Sequence, residues 1–476
     1  MDRMRRDYLV VGLFVGLVIG ANTSVAQFSG NNKTNLISGV TSNWFGNYYV
    51  GSTPWSADVL LIQNAGVLSL SNSAGYVGHG SDGNSAVVAG SGSVWNTTFG
   101  PLYVGNVGSH NSLVISNGGQ VVDWVSVLGD ISPASSNNNV LVTDPGSLWS
   151  THFSIEIGGY GPANTLVISN GGWVTSQYAY IGYNSFGNSV LVTGLGSVWS
   201  NSTSIQLYAA GNQLVIRDGG QVISGSSAVA LGSGTILVTD PGSIWSNGSS
   251  LDFGGFTGSS MVISNGGHVS CAYGMLASAS NRVRVVDGGI WQSDMLRIGG
   301  NQNNSLVVAG GSLLSTNIVV GLSSGACNNL LQLDSGAVLV TNATADAVLE
   351  VRYGKLIVNG GTLRADVLVL TNGCSQLVHT GGVILAGSVI LNPNTFRIVS
   401  IARQGNDMLV TWMMGPGATN TLQATAGNGS GGYNTNGFTD IFIVTNNTLA
   451  GTVTNYLDVG GATNVPGRYY RARLVP

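Results

Sequence analysis

Charged side chains are scarce in this chain. Only 16 Lys and Arg and 20 Asp and Glu occur among 476 residues, and no Lys or Arg lies between Lys33 and Arg217. Holding a phosphate backbone takes clustered cations that release counterions, so nucleic acid is excluded as a partner class. Disorder is excluded as well, because it combines high charge with low apolar content, and here 43% of residues are hydrophobic. Cysteine is nearly absent. Cys271, Cys327 and Cys374 are odd in number and fall at different places in the repeat described below, so they are expected to be free, buried small hydrophobes. Past Ala26 no apolar run reaches membrane length, which predicts no transmembrane segment in the mature chain. No two aspartates are adjacent anywhere.

The segment 1–26 reads as a signal peptide. Arg3, Arg5 and Arg6 precede an apolar run from Tyr8 to Gly20, and Ser24-Val25-Ala26 supplies a small-x-small cleavage site ahead of Gln27. The expected location is outside the cytoplasm: the cell surface, the outer membrane or the extracellular space.

Glycine, at 72 residues, is what the chain has in excess. Short apolar-polar alternations, such as Leu113-Val114-Ile115 and Leu141-Val142-Thr143, each run into a glycine corner, Asn117-Gly118-Gly119 or Asp144-Pro145-Gly146. Alternation of period two predicts strands, and these corners predict turns that need positive φ. The last corner glycines recur from Gly66 to Gly382 at a period of roughly 25 residues, Gly172 among them. A unit this short cannot close a core alone but can bury one by stacking. The prediction is all-β: a right-handed parallel β-helix of about fourteen turns over residues 58–393, behind an N-terminal cap over 27–57. Inward positions are the aliphatics two apart, such as Leu113 and Ile115, Leu166 and Ile168, Leu214 and Ile216. Asn and Ser side chains are expected to ladder between turns. The period stops after Asn392-Pro393-Asn394, and residues 394–476 predict a small antiparallel β-sandwich whose last strand carries Arg468, Arg471 and Arg473 on a polar face.

The alternation of LVISNGGQV (113–121) with LVTDPGSLWS (141–150), joined by Ile157-Gly158-Gly159 and Ile181-Gly182-Tyr183, resembles the type V secretion and PEP-CTERM-associated repeat. The likeness covers residues 58–315 and weakens towards 384. It implies an exported bacterial surface protein with a β-helix passenger. The chain shows neither the C-terminal barrel pattern of autotransporters nor a PEP-CTERM tail. Its last segment instead resembles fibronectin-III-like terminal modules.

Catalytic and metal constellations are thin. Gly78-His79-Gly80 is similar to a short motif of β-helical polygalacturonases, but the adjacent aspartates that chemistry uses are missing, so His79 is expected to be a loop histidine. A polysaccharide lyase would draw on Arg282, Arg284 and Arg297 with Asp287 and Asp294, whose offsets separate Arg297 from the other two. His79, His110, His152, His268 and His379 do not fall into register, which predicts no metal site, and no cofactor is implied. One pattern stands out. Trp95, Trp149, Trp199 and Trp245 each sit three residues after a corner glycine in Gly-Ser-x-Trp, and Trp291 fits with a turn one residue shorter. If the preceding aliphatics, Val94, Leu148, Val198, Ile244 and Ile290, point inward, the indoles form an outward row able to stack on an extended glycan. The competing expectation is an internal packing stripe. The functional expectation is therefore a non-catalytic, adhesin-like or matrix-forming surface protein with a polysaccharide or another cell-surface ligand. The alternative is a carbohydrate-active β-helix enzyme.

Overall fold

The computed structural model describes residues 30–475 except 231, 256, 327, 371–374, 392–396, 415–418, 430–431, 448–451 and 464–466. The segment 1–26 read as a signal peptide, Cys327 and Cys374 thus lie outside the described residues; Cys271 is buried and free.

From Thr34 to Leu391 the chain winds as a parallel β-solenoid of about 14 turns, its strands joined into one 34-stranded sheet. Each turn has three strand positions. The first is short, as in Ser112–Ser116, and the second and third often merge across a shallow bend, as in Gln120–Asp130. Pairing is in register from turn to turn: Leu113 stacks on Val140 and Val140 on Leu166, while Ile115 stacks on Val142 and Val142 on Ile168. All are buried, as the alternation predicts. Burying each such side chain contributes about 1.5–3 kcal/mol, and stability accumulates turn by turn.

Two details of the corners differ from expectation. Positive φ falls on the first two residues of Asn-Gly-Gly, at Asn170 (47°) and Gly171 (88°). Gly172 is glycine for another reason: a Cβ there would lie 2.4 Å from the carbonyl oxygen of Val142 on the turn below. The second difference is the start of the solenoid. Thr34–Ser38, Thr41–Trp44 and Tyr48–Ser52 already pair in parallel with Val59–Gln63, Val67–Leu70 and Gly75–His79. Residues expected to cap the rod thus form a turn of it, entered through Ser38-Gly39, a corner without the Asn-Gly-Gly or Asp-Pro-Gly signature.

Inside the corner that precedes the first strand runs an asparagine ladder, formed by Asn84, Asn111, Asn138, Asn164, Asn188 and Asn212. The Oδ1 of Asn111 accepts both the backbone N–H (2.9 Å) and the Nδ2–H (2.8 Å) of Asn84, and the pattern repeats upward. It breaks at Gly234 and resumes through Asn281, Asn304 and Asn329. These bonds satisfy buried backbone donors that the bend strips of sheet partners. The glycine of each Ile-Gly-Gly or Ile-Gly-Tyr segment packs against a carboxamide of the ladder. A Cβ on Gly158 would meet Asn188 Nδ2 at 2.2 Å.

Beyond the solenoid two three-stranded antiparallel sheets face each other. One contains Arg397–Gln404, Asp407–Met414 and Thr452–Asp458; the other contains Thr419–Ala426, Thr439–Thr445 and Arg468–Val475. Val410, Trp412, Met414 and Leu422 fill the space between them. Met413, on the opposite side of its strand, belongs to the solenoid's buried cluster. On the last strand Arg468 pairs with Asp458 and Arg473 with Asp440, while Arg471 lies 4.2 Å from the Phe438 ring centroid. Among the described residues no helix is long and apolar enough to cross a membrane.

Candidate functional site

The tryptophan row faces the core. Trp95, Trp149, Trp199 and Trp291 are 0% exposed and Trp245 is 2% exposed, so they cannot form a glycan-contacting face. The serine of Gly-Ser-x-Trp decides the phase. Ser93, Ser147, Ser197 and Ser243 point inward, where their Oγ atoms accept N–H groups of Ala65, Gly118, Gly171 and Gly219 at 3.0–3.2 Å on the turn below. Two residues on, the indole must also point inward. Val94, Leu148, Ile244 and Ile290 take the outward positions and stay partly exposed, whereas Val198 is covered.

The indoles alternate with smaller residues in register: Val121, Val174, Val222 and Val269 occupy the same place on the turns between. The turns before Trp95 and Trp291 also carry a glycine near the start of the third strand. A Cβ on Gly75 would lie 2.8 Å from Trp95 Cζ2, and one on Gly274 would lie 2.9 Å from Trp291 Cζ2. Each of these indoles leans over the turn before it, and a two-turn period in core volume results. Trp149 leans onto Asp123, donating its Nε1–H to Oδ2 at 2.8 Å; Ser126 Oγ donates to Oδ1 at 2.7 Å. Asp123 is fully buried, and burial pushes its carboxyl up to about 6 despite the bonds from Ser126, Trp149 and Thr151.

A half-buried aromatic row lies on the third strands instead. Tyr49, Tyr76 and Tyr103 are in register, with ring centroids 4.9 and 5.0 Å apart and planes within 14°. His79 packs 4.8 Å from Tyr76 and shares a 2.9 Å hydrogen bond with Asn106 Oδ1; Asn106 Nδ2 reaches Asp130 Oδ2 at 3.5 Å. His79 therefore ends a strand rather than sitting in a loop.

The tyrosine stack stops at Tyr103 because Val127 holds the next place in register and Glu156 the one after. Valine is too short to continue the stack. The ring face of Tyr103 turned away from Tyr76 opens on a cavity of about 420 Å³, lined by Tyr103, Trp124, Val127, Asp130, Ser154 and Glu156 among others. Trp124 stacks on His152 at 4.4 Å and continues through Phe153 to Tyr178, Tyr180 and Tyr208. The two carboxylates converge. Asp130 Oδ1 and Glu156 Oε2 each lie 3.5 Å from the point a Cβ would take on Gly159, so they are at most twice that distance apart. Burial, then the charges of Asp130, Tyr76 and Glu156, push the Tyr103 phenol up to about 12, which keeps its hydroxyl a donor.

Sequence reasoning missed this site. Its signal was available in the equal intervals, one local turn each, that separate Tyr49, Tyr76 and Tyr103. The lyase candidates do not come together: Arg282 and Arg284 lie exposed on a first strand, while Arg297 lies on a third strand, 5.2 Å from the Tyr273 ring centroid. Among the described residues no group of three His, Cys, Asp or Glu side chains is placed to hold a metal ion. Compared with protein-family models, curated proteins and solved structures, the chain matches none.

Proposed function

We propose that the protein is an exported, non-catalytic scaffold of the adhesin or matrix type, and that it binds extended glycans along the outer aromatic face between Tyr49 and Tyr208. The observation that carries this reading is the interrupted tyrosine stack, which leaves an aromatic ring face open on a cavity edged with carboxylates and hydroxyls. Sugars present apolar ring faces and polar rims, and such a wall complements both. Each ring contact contributes about 0.5–1.5 kcal/mol, so a single site binds weakly and a polymer gains by engaging several. The resemblance to repeats of exported surface proteins supports the setting. The experiment is affinity electrophoresis of the full chain in gels containing neutral or charged polysaccharides. Tyr103→Ala combined with Trp124→Ala should abolish retardation while the β-sheet circular dichroism of the parent is kept. Retardation unchanged in that variant, or absent for the parent in every gel, refutes the reading.

A second reading, a carbohydrate-active enzyme, is favoured by the convergence of Asp130 and Glu156, since glycoside cleavage uses two carboxyl groups about the scissile bond. Release of reducing ends by the parent, lost in Glu156→Gln, would establish it.

A further inference from the structure

Every turn of the solenoid is covered by the next except the last. Val383–Leu391 pairs with Thr362–Leu370 on one side and, among the described residues, with no strand on the other. Val383, Leu385, Val389 and Ile390 are each about half exposed. Register fixes which way the side chains face. Ala386 and Val389 lie over buried Ala365 and Leu368 and face the core, whereas Leu385 and Ile390 lie over Arg364 and Val369 and face outward. Met413 of the sandwich joins the solenoid's buried cluster, yet the inward Val389 is left half open. The other end is closed: Ile37, Tyr48 and Val50 of the first turn are buried, and Trp44 lies edge-on to Tyr48. Free strand edges are kept from pairing by charge, proline or shortness. The three strands of the first turn have five residues at most, and the sandwich's edge strand Arg397–Gln404 carries two arginines. Val383–Leu391 has nine residues without charge or proline, and no Asp, Glu, Lys or Arg lies between Asp366 and Arg397.

We propose that this uncovered edge is an interface for a second copy of the chain, the two rods joining tail to tail by antiparallel pairing of Val383–Leu391 with itself. The strand is self-complementary on both faces. A twofold axis perpendicular to the sheet, between Gly387 and Ser388, sets outward Leu385 of one copy opposite outward Ile390 of the other. It likewise sets inward Ala386 opposite inward Val389. The ladder skips from Ala386 to Ser388 at the bend, which reverses the alternation and lets each of these pairs share a face. The bend itself falls on the axis, so both copies curve towards their cores alike. Closed twofold pairs are also the commonest symmetric assembly. With no charge on the strip the copies do not repel, and a charged partner gains nothing there. Four half-exposed aliphatics per copy cover less than the roughly 1,600 Å² of a standard interface, so backbone pairing carries the association and a micromolar dimer is expected. The dimer does not depend on what the aromatic face binds.

Sedimentation velocity of the full chain from about 1 to about 100 µM should show monomer giving way to dimer and to nothing larger. Over the same range, hydrogen exchange of a peptide spanning residues 383–391 should slow as concentration rises. Leu385→Lys and Ile390→Glu change exposed outward positions, so each should keep the parent's β-sheet circular dichroism. Each should weaken the dimer at least about tenfold, because a charge then meets an aliphatic across the axis. Combined in one chain, the two substitutions set opposite charges face to face, and the double variant should dimerise more tightly than either single one. A parent that stays monomeric throughout, or exchange insensitive to concentration, would overturn the proposal and leave the edge to another occupant. Growth beyond dimers would overturn the twofold, since open-ended stacking joins two different ends. Single variants that dimerise like the parent would place the interface elsewhere and overturn it too. A double variant weaker than both single ones would overturn the antiparallel register.

Discussion

Asp123→Asn should stabilise this protein near neutral pH and leave it unchanged near pH 4. Burial raises the folded-state pKa of Asp123 from 3.8 to about 6. Below the unfolded value the carboxyl is protonated in both states and folding carries no ionisation cost. As pH rises through the interval from about 4 to about 6, the unfolded chain ionises while the folded chain resists, and stability is lost. Two pKa units at 1.36 kcal/mol each give about 3 kcal/mol, withheld at pH 7 and restored in acid. Asparagine can keep the local bonds. Its Oδ1 would accept the Trp149 Nε1–H, and its Nδ2 would donate to Ser126 Oγ. Ser126 could then donate to Thr151 Oγ1, 2.9 Å away, where either oxygen can be the donor. A solenoid need not unfold in one step, so the assay should be local. Hydrogen exchange of peptides spanning residues 120–155, compared between parent and variant at the same pH, reads the opening of these turns. The variant should exchange about a hundredfold more slowly at pH 7, the equivalent of about 3 kcal/mol, and at the parent's rate at pH 4. Asp58 and Asp252 are also raised by burial, but both chains share them and they cancel. Faster exchange in the variant at pH 7 would refute the reasoning, since the carboxylate would then be held ionised to advantage by its three donors.

Two further outcomes follow from packing. Trp199→Ala should cost about 3–5 kcal/mol, seen as a lower midpoint in guanidinium, because the indole is fully buried between Val174 and Val222; a midpoint within error of the parent would mean that the indole lies outside the core. Gly158→Ala should destabilise by pushing on the Asn188 carboxamide, and Asn188→Ala in the same chain should relieve part of the clash; additive losses in a double-mutant cycle would show that the two do not touch.

The solenoid was legible because its signals repeat. A corner glycine at every turn and aliphatics two apart specify a stacked parallel sheet, and Leu113, Ile115, Leu166 and Ile168 lie where the alternation puts them. The phase of the second strand was not legible from hydrophobicity. In Gly-Ser-Leu-Trp both Leu148 and Trp149 are apolar, and the choice falls to Ser147, whose hydroxyl is needed inside the corner by the Gly118 N–H. That bond reaches the neighbouring turn, 29 residues away in sequence, and no local pattern announces it. The first turn was hidden for a similar reason. Ser38-Gly39 lacks the usual corner chemistry, and its strands are identified by the partners above them. The aromatic face was half visible: the tyrosines recur at a fixed interval, but the gap above Tyr103 exists only because Val127 replaces a ring at the same height.

The two-turn period of core volume has a consequence for how such a rod can change length. Trp95, Trp149, Trp199, Trp245 and Trp291 recur on every second turn, and the turn before Trp95 or Trp291 supplies a glycine to make room for the indole. Deleting one turn, or duplicating one, would set two bulky layers or two spare layers against each other. The first collides and the second leaves a void. Duplicating or deleting a pair of turns preserves the match at both new junctions. A lineage of such chains should therefore lengthen and shorten in steps of about fifty residues rather than about twenty-five, with the tryptophan-bearing turn and its small-residue partner inherited as one unit.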